Sequence, residues 1–145
     1  MRALTVSQPF ASMIADGEKW VENRKWCSFL RGPLAIHAGK GTQYLSKKEL
    51  LEYPSGILAV VNLVECVFLN SIRDLNHTYD LNNTGLTIGE ILKHKHTEGP
   101  WCWILNEVFK LDEPIKCSGA LGLWDWEIPE NLRKGLEVSY DRRKL

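Results

Sequence analysis

At 145 residues, with 44% hydrophobic and 25% charged side chains, the chain suits one globular domain with a real core and is not disordered. Formal net charge is zero but unevenly spread: residues 1–48 carry eight Lys/Arg against three Asp/Glu, residues 49–128 five against twelve, and residues 129–145 five against three. No segment reads as a membrane span, because the longest mostly apolar run, Gly56 to Val64, contains Asn62 and is far too short.

Arg2 to Val6 reads as a first strand, and the apolar run after Arg2 is too short for a signal peptide. Ser7 or Gln8 then caps a helix, with Pro9 tolerated in its first turn. Phe10, Met13, Ile14 and Gly17 follow the rhythm of one helical face, and Gly17 is placed as a left-handed terminator. Free N–H groups at this helix start, beside Ser7 and Gln8, can hold a phosphate or a carbonyl oxygen.

Lys19 to Arg24 reads as a polar strand. Alternation sets Trp20, Glu22 and Arg24 on one face, with Val21 and Asn23 on the other. Strict alternation sends Lys19 away from Glu22, although its long stem beside the Gly17 turn leaves its direction open. A lysine, an acid and an arginine on one short element can bind an anion, hold a substrate or move a proton; they can also simply pair with each other.

Arg31-Gly32-Pro33 is a turn, and Leu34 to Ala38 a strand that Gly39-Lys40-Gly41 ends, with His37 near Lys40. Ser46 to Tyr53 reads as a helix with a capping box from Ser46 and Glu49. Ile57 to Leu69 is the strongest strand, rich in Ile and Val. Residues 70–98 read as a polar excursion with a helix from Thr87 to Lys95. Trp101 to Leu111 and Ile115 to Cys117 read as strands around a turn at Asp112 to Pro114; Leu123 to Ile128 is a last strand, and Pro129 opens a basic tail through residue 145. Several strands with short helices and no regular βαβ alternation make an α+β domain on a small, mostly antiparallel β-barrel.

Cys27, Cys66, Cys102 and Cys117 form no C-x-x-C pair, and three lie in apolar surroundings, which fits reduced thiols in a cytoplasmic protein. His94 and His96 have no Cys or carboxylate set to complete a metal site, and nothing calls for a cofactor. Six tryptophans are many for this length; on strands they serve as core, and Trp26 and Trp103 are the two placed to stack on a base.

Gln8-Pro9-Phe10-Ala11, then Gly17, Lys19, Glu22, Arg24 and Trp26, resemble the signature of the ASCH (activating-signal-cointegrator homology) domain. Ser7 directly precedes Gln8, one residue closer than in many members. Arg31 to Lys40, Tyr53 to Val67, the stretch from Gly99 and that from Ser118 agree as well, so the likeness covers nearly the whole chain. It implies a PUA-like β-barrel with short flanking helices and a cleft between barrel and first helix. It also implies a link to nucleic acid: RNA, single-stranded DNA or a modified nucleoside. A few small relatives are amidohydrolases on acetylated cytidine using a Lys, a Thr and a Glu, and others are proposed nucleases. That Lys falls on Lys19; the Thr falls near Glu22, which is not a Thr, and Glu65 is a candidate for the Glu.

The expected function is a nucleic-acid-binding module whose ligand contacts are Ser7, Gln8, Lys19, Glu22, Arg24, Trp26, His37 and Lys40. Arg142-Arg143-Lys144 can add phosphate affinity, and Gly119 and Gly122 allow a close backbone approach. The alternatives are a small amidohydrolase or nuclease with Lys19 and Glu22 as catalytic residues, and a protein-interaction module suggested by the acidic middle.

Overall fold

The Ile- and Val-rich run forms the long strand β4 (Gly56–Phe68), most of which is buried, as β-branched side chains on a doubly covered pleat require. The computed structural model describes residues 1–144, with side chains through Glu137. The other strands are β1 (Arg2–Val6), β2 (Val21–Arg24), β3 (Gly32–Ala38), β5 (Trp101–Ile115) and β6 (Leu123–Asp125). They form one six-stranded sheet in the order β2–β5–β4–β3–β1–β6. β1 and β3 run parallel and every other neighbouring pair is antiparallel. Register shifts along β4 and β5 at Ile57/Ala59, Val60/Asn62 and Leu63/Glu65 bend the long strands, because each bulge adds local twist. The sheet curls into a half-barrel.

The short helices are α1 (Phe10–Ala15), α2 (Lys47–Leu50), α3 (Leu69–Ile72), α4 (Ile88–Lys93) and α5 (Glu130–Lys144). α1 buries Ala11, Ile14 and Ala15 against the concave face of the sheet, where Leu4, Leu34, Ile36, Leu63 and Trp103 form the main core. Gly17, at φ +81°, turns the chain out of α1 into β2, as its place in the sequence implies. Both Ser46/Glu49 and Thr87/Glu90 form reciprocal capping boxes, at the starts of α2 and α4.

Three expectations are corrected. β5 runs unbroken through Asp112–Pro114, where a turn was expected: beyond Ile104 it no longer pairs with β2, so Pro114 costs no hydrogen bond on that side. Residues 130–144 form a helix, not a tail; Leu132 and Leu136 pack on a core of Ala3, Ile57, Trp126 and Ile128. The side chains of Arg142, Arg143 and Lys144 lie outside the described residues. The excursion at 70–98 is a covering layer. Leu69, Ile72, Leu81, Ile88 and Ile91 are buried against Val21, Cys102 and Ile104, on the face of β2 and β5 opposite the main core. At roughly 2 kcal/mol per buried aliphatic side chain, this layer is a substantial part of the fold.

Candidate functional site

The carboxylate of Glu22 sits between two cations. Its Oε1 accepts from Lys19 Nζ at 2.8 Å, and its Oε2 accepts from Arg24 Nη2 at 2.8 Å and Nε at 3.1 Å. Lys19 also donates to the Val21 carbonyl, and Arg24 Nη2 to the Thr5 carbonyl at 2.9 Å. Lys19 is 4% exposed, Glu22 7%. Lys19 and Glu22 are therefore a nearly dry ion pair, a cost that only complete pairing offsets, and Arg24, with 25% of its side chain exposed, closes the triad on the solvent side. The Lys19 ammonium lies 5.8 Å from the centre of the Phe10 ring, within cation–π range.

Alternation explains Glu22 and Arg24 but not Lys19. β2 begins only at Val21, so Glu22 and Arg24 share the face toward α1, while Val21 faces the second core and Asn23, on the same side, bonds the segment at residues 96–99. Lys19 and Trp20 lie before the strand, where period-two logic does not hold. Lys19 turns toward Glu22; Trp20 turns the other way, packing with the second core and lying 4.2 Å, centre to centre, from the His94 ring.

A cleft of about 480 Å³ opens above the triad. The end of β1 gives Thr5, Val6 and Ser7; α1 gives Phe10; β2 and its exit give Glu22, Asn23, Arg24, Lys25 and Trp26. Gln43, Tyr44, His96 and Glu98 close the rim from two loops. Tyr44 stands edge-on to Phe10 at 4.9 Å and is 54% exposed. Trp26 is 37% exposed and edge-on to the buried Trp103 at 4.8 Å. Asn23 holds one rim in place: its Nδ2 donates to the His96 carbonyl at 2.7 Å, and its Oδ1 accepts from the N–H groups of Glu98 and Gly99 at 2.9 and 2.8 Å.

The family model of the ASCH domain matches residues 4–115. The chain belongs to the ASCH domain family. Its fold is also similar to that of a point mutant of an ASCH protein from Zymomonas mobilis, with TM-score 0.52, 14% identity, and coverage of 94% of this chain and 96% of that one. A second structure of ASCH from Zymomonas mobilis gives TM-score 0.46 at 14% identity, covering 94% of this chain and 93% of that one. Among curated proteins none matches significantly.

Of the expected ligand contacts, this ASCH domain brings Ser7, Lys19, Glu22, Arg24 and Trp26 together in the cleft. Gln8, His37 and Lys40 are not among its lining residues. Gln8 is wholly buried: its Nε2 donates to Ser12 Oγ and to the Pro54 carbonyl, both at 2.9 Å, and its Oε1 accepts from Ser12 N–H at 3.0 Å. The N-cap of α1 is Pro9, not Ser7 or Gln8; from one residue before it, Gln8 takes up the Ser12 N–H of the first turn and ties the helix to the turn before β4. His37 is 4% exposed. Its Nε2 donates to the Cys117 carbonyl at 2.9 Å, so its Nδ1 accepts from Thr5 Oγ1 at 3.1 Å, and that hydroxyl accepts in turn from Trp124 Nε1. This chain of bonds joins β1, β3 and the segment after β5. Lys40 is exposed on the loop after β3. Trp103 is fully buried, and its Nε1 donates to the Trp26 carbonyl. Gly119 makes the close approach expected of it, but to Thr5 and His37; Gly122, at φ +65°, is a turn residue.

Glu65 lies outside the cleft. Burial raises its carboxyl pKa, but the Cys66 N–H, Asn82 and Arg31 hydrogen bonds outweigh this and hold it below the ordinary value. Arg31 Nη2 and Asn82 Nδ2 each lie 2.6 Å from its oxygens. All four cysteines are free, and Cys117 is exposed. Burial pushes the Cys66 thiol up to about 12 and raises those of Cys102 and Cys117, so none of these three supplies a thiolate at neutral pH. No group of three or more His, Cys, Asp or Glu is placed to hold a metal ion among the described residues. No helix there is long and apolar enough to cross a membrane.

Phe10, Gln43, Tyr44, His96 and Glu98 were not expected in the site. Phe10 reads as a core position of α1, and the others come from loops whose sequence carries no periodic signal.

Proposed function

We propose that this ASCH domain binds RNA, or another single-stranded or modified nucleic acid, by seating one unstacked nucleotide in the cleft between α1 and β2. The observation that carries this reading is the Lys19–Glu22–Arg24 triad. In the floor of the cleft each Glu22 oxygen already accepts from one of its two cationic neighbours, while donors on both cations remain unused. Lys19 has three N–H groups and two acceptors, and Arg24 Nη1 has no acceptor among the described residues. Such a floor suits a phosphate oxygen or a base carbonyl. Lys25 adds a third cation to the lining, against the carboxylates of Glu22 and Glu98. The volume is of the order that encloses a small ligand rather than a duplex, and the exposed faces of Tyr44 and Trp26 supply stacking surfaces. The four unbridged thiols support a reducing, cytoplasmic setting.

Fluorescence anisotropy with a short single-stranded RNA tests the reading. With about three phosphate contacts, the affinity falls with salt at a log–log slope of roughly −2. Folded protein that does not bind at low salt removes it. Single-stranded DNA of the same sequence, run in parallel, measures the preference for a 2′-hydroxyl.

The direct Lys19–Glu22 contact supports a second reading, hydrolysis of an N-acylated cytidine-like nucleoside with this pair moving the proton. Turnover of acetylated cytidine that disappears in Lys19→Ala would establish it, and absence of product after long incubation with the wild type sets it aside for that substrate. Glu65 takes no part in this scheme.

A further inference from the structure

The loop between β2 and β3 leaves the cleft as Lys25-Trp26-Cys27-Ser28-Phe29-Leu30-Arg31. Phe29 is 95% exposed. A single exposed apolar side chain is ordinary on a protein surface. What sets Phe29 apart is that its neighbours are held and it is not. Ser28 is 2% exposed, its Oγ accepts from the Leu30 N–H at 3.0 Å, and its carbonyl accepts from Arg31 Nη1 at 2.8 Å. Cys27 and Leu30 pack against the main core, and the Trp26 carbonyl is bonded to Trp103. The loop is thus anchored on both sides of Phe29, and the ring is held out in solvent by a fixed backbone, without the fraying that makes exposed rings at chain ends uninformative.

The same loop begins at the cleft. Lys25 and Trp26 line it, Trp26 with a partly exposed ring. Lys25 is exposed and has no ion-pair partner among the described residues. Phe29 is three positions on from Trp26, with Cys27 and Ser28 between, so their Cα atoms are at most about 11 Å apart. Two exposed aromatic residues this close along one loop, with an unpaired lysine beside the first, give the combination of flat apolar faces and positive charge that a single strand of nucleic acid requires.

We infer that Phe29 is an outer stacking platform for the base next to the nucleotide seated in the cleft, with Lys25 facing the phosphate that joins the two. The inference rests on the nucleic-acid reading given above. It assigns the partner as a strand that continues past the cleft, not a free mononucleotide. An apolar protein surface or a second copy of this chain is the competing occupant; the charge of Lys25 and the continuity of the loop with the cleft favour the strand.

The experiment compares Phe29→Ala, Phe29→Leu and Phe29→Trp with the wild type. Each is titrated with a mononucleotide and with a single-stranded RNA of six or so nucleotides, and its mass in solution is followed by sedimentation. Phe29 makes no buried contact to lose, and thermal unfolding of each variant checks that the fold is kept. The expected result is a five- to tenfold loss of affinity for the longer RNA in Phe29→Ala and Phe29→Leu, restored in Phe29→Trp, with mononucleotide affinity unchanged throughout. Leucine keeps the apolar area without a π face, so its failure to rescue separates stacking from simple apolar contact. Equal RNA affinity in all four proteins overturns the inference while leaving the cleft reading intact. So does a change confined to self-association. Absence of RNA binding by the wild type removes both readings.

Discussion

The Lys19 ammonium and the Glu22 carboxylate meet at 2.8 Å with only 4% and 9% of their side chains exposed. The charge of each is compensated by the other, and that of Glu22 also by Arg24. Removing the carboxylate leaves the buried Lys19 ammonium without its partner and beside the partly exposed Arg24 guanidinium. Glu22→Ala is therefore expected to destabilise the fold by about 3–5 kcal/mol. Urea unfolding checks this: the midpoint falls while the slope stays the same. A loss below about 1 kcal/mol would mean that water enters the cleft floor and screens the triad.

Gln8 is expected to matter for stability and not for binding. Gln8→Ala removes three hydrogen bonds, one of them the link from α1 to the Pro54 carbonyl. A cost of about 1–3 kcal/mol is expected, because the carbonyl and the Ser12 groups lose their partner. The affinity of the folded fraction for RNA stays at the wild-type value. A large loss of affinity with unchanged stability would place Gln8 in contact with ligand.

Two glycine substitutions should act in opposite directions. A Cβ on Gly119 would stand 2.5 Å from Thr5 Oγ1 and 2.7 Å from His37 Nδ1, so Gly119→Ala forces apart the bonds that tie β1 to β3 and costs about 1–3 kcal/mol. A Cβ on Gly135 meets nothing within 4 Å, inside α5. Gly135→Ala is expected to stabilise by about 0.5–1 kcal/mol, the entropy a glycine gives up in a helix. Thermal unfolding of the two single variants reads both signs.

His96 on the rim and its neighbour His94 set a pH dependence. Burial lowers the pKa of His94, helped by His96 and Lys19; burial also lowers that of His96, helped by Lys19 and Lys95. Below about 6.5, the ordinary histidine value, the unfolded chain takes up protons at these rings that the folded chain does not yet bind. Their effect on stability is absent well above that pH, and stability declines as the pH falls from about 6.5 toward the folded values. Proton NMR of the ring resonances should show both titrating below the ordinary histidine value. An RNA phosphate at the rim would raise the His96 midpoint.

Much of the architecture is legible in the sequence because it is written in local rules. The Ile/Val run gives β4, Gly17 ends α1, and the Ser46/Glu49 pair gives its capping box. The polar motif at Lys19, Glu22 and Arg24 is legible as a cluster, since no core explanation accounts for three charges there. Its geometry is not: Lys19 precedes the strand, so no periodicity governs it, and only the turn at Gly17 decides where its ammonium goes. His37 and Gln8 mislead for a common reason. Polar residues beside a suspected cleft look available, yet each is consumed by partners distant in sequence, Cys117 for one and Pro54 for the other. Those pairings depend on how β1, β3 and the segment after β5 come together. Tyr44 and His96 stayed hidden because loops are positioned by what they are tied to, not by their own pattern.

Asn23 makes that tie for one side of the cleft. Three bonds from a single side-chain amide hold the backbone at His96, Glu98 and Gly99. The rim is therefore fastened at its downstream end to the strand that carries Glu22 and Arg24, and at its upstream end to α4 through the Thr97 hydroxyl on the Ile91 carbonyl. A change at residue 23 would reach the wall of the cleft through the backbone at residues 96–99, without touching a member of the triad.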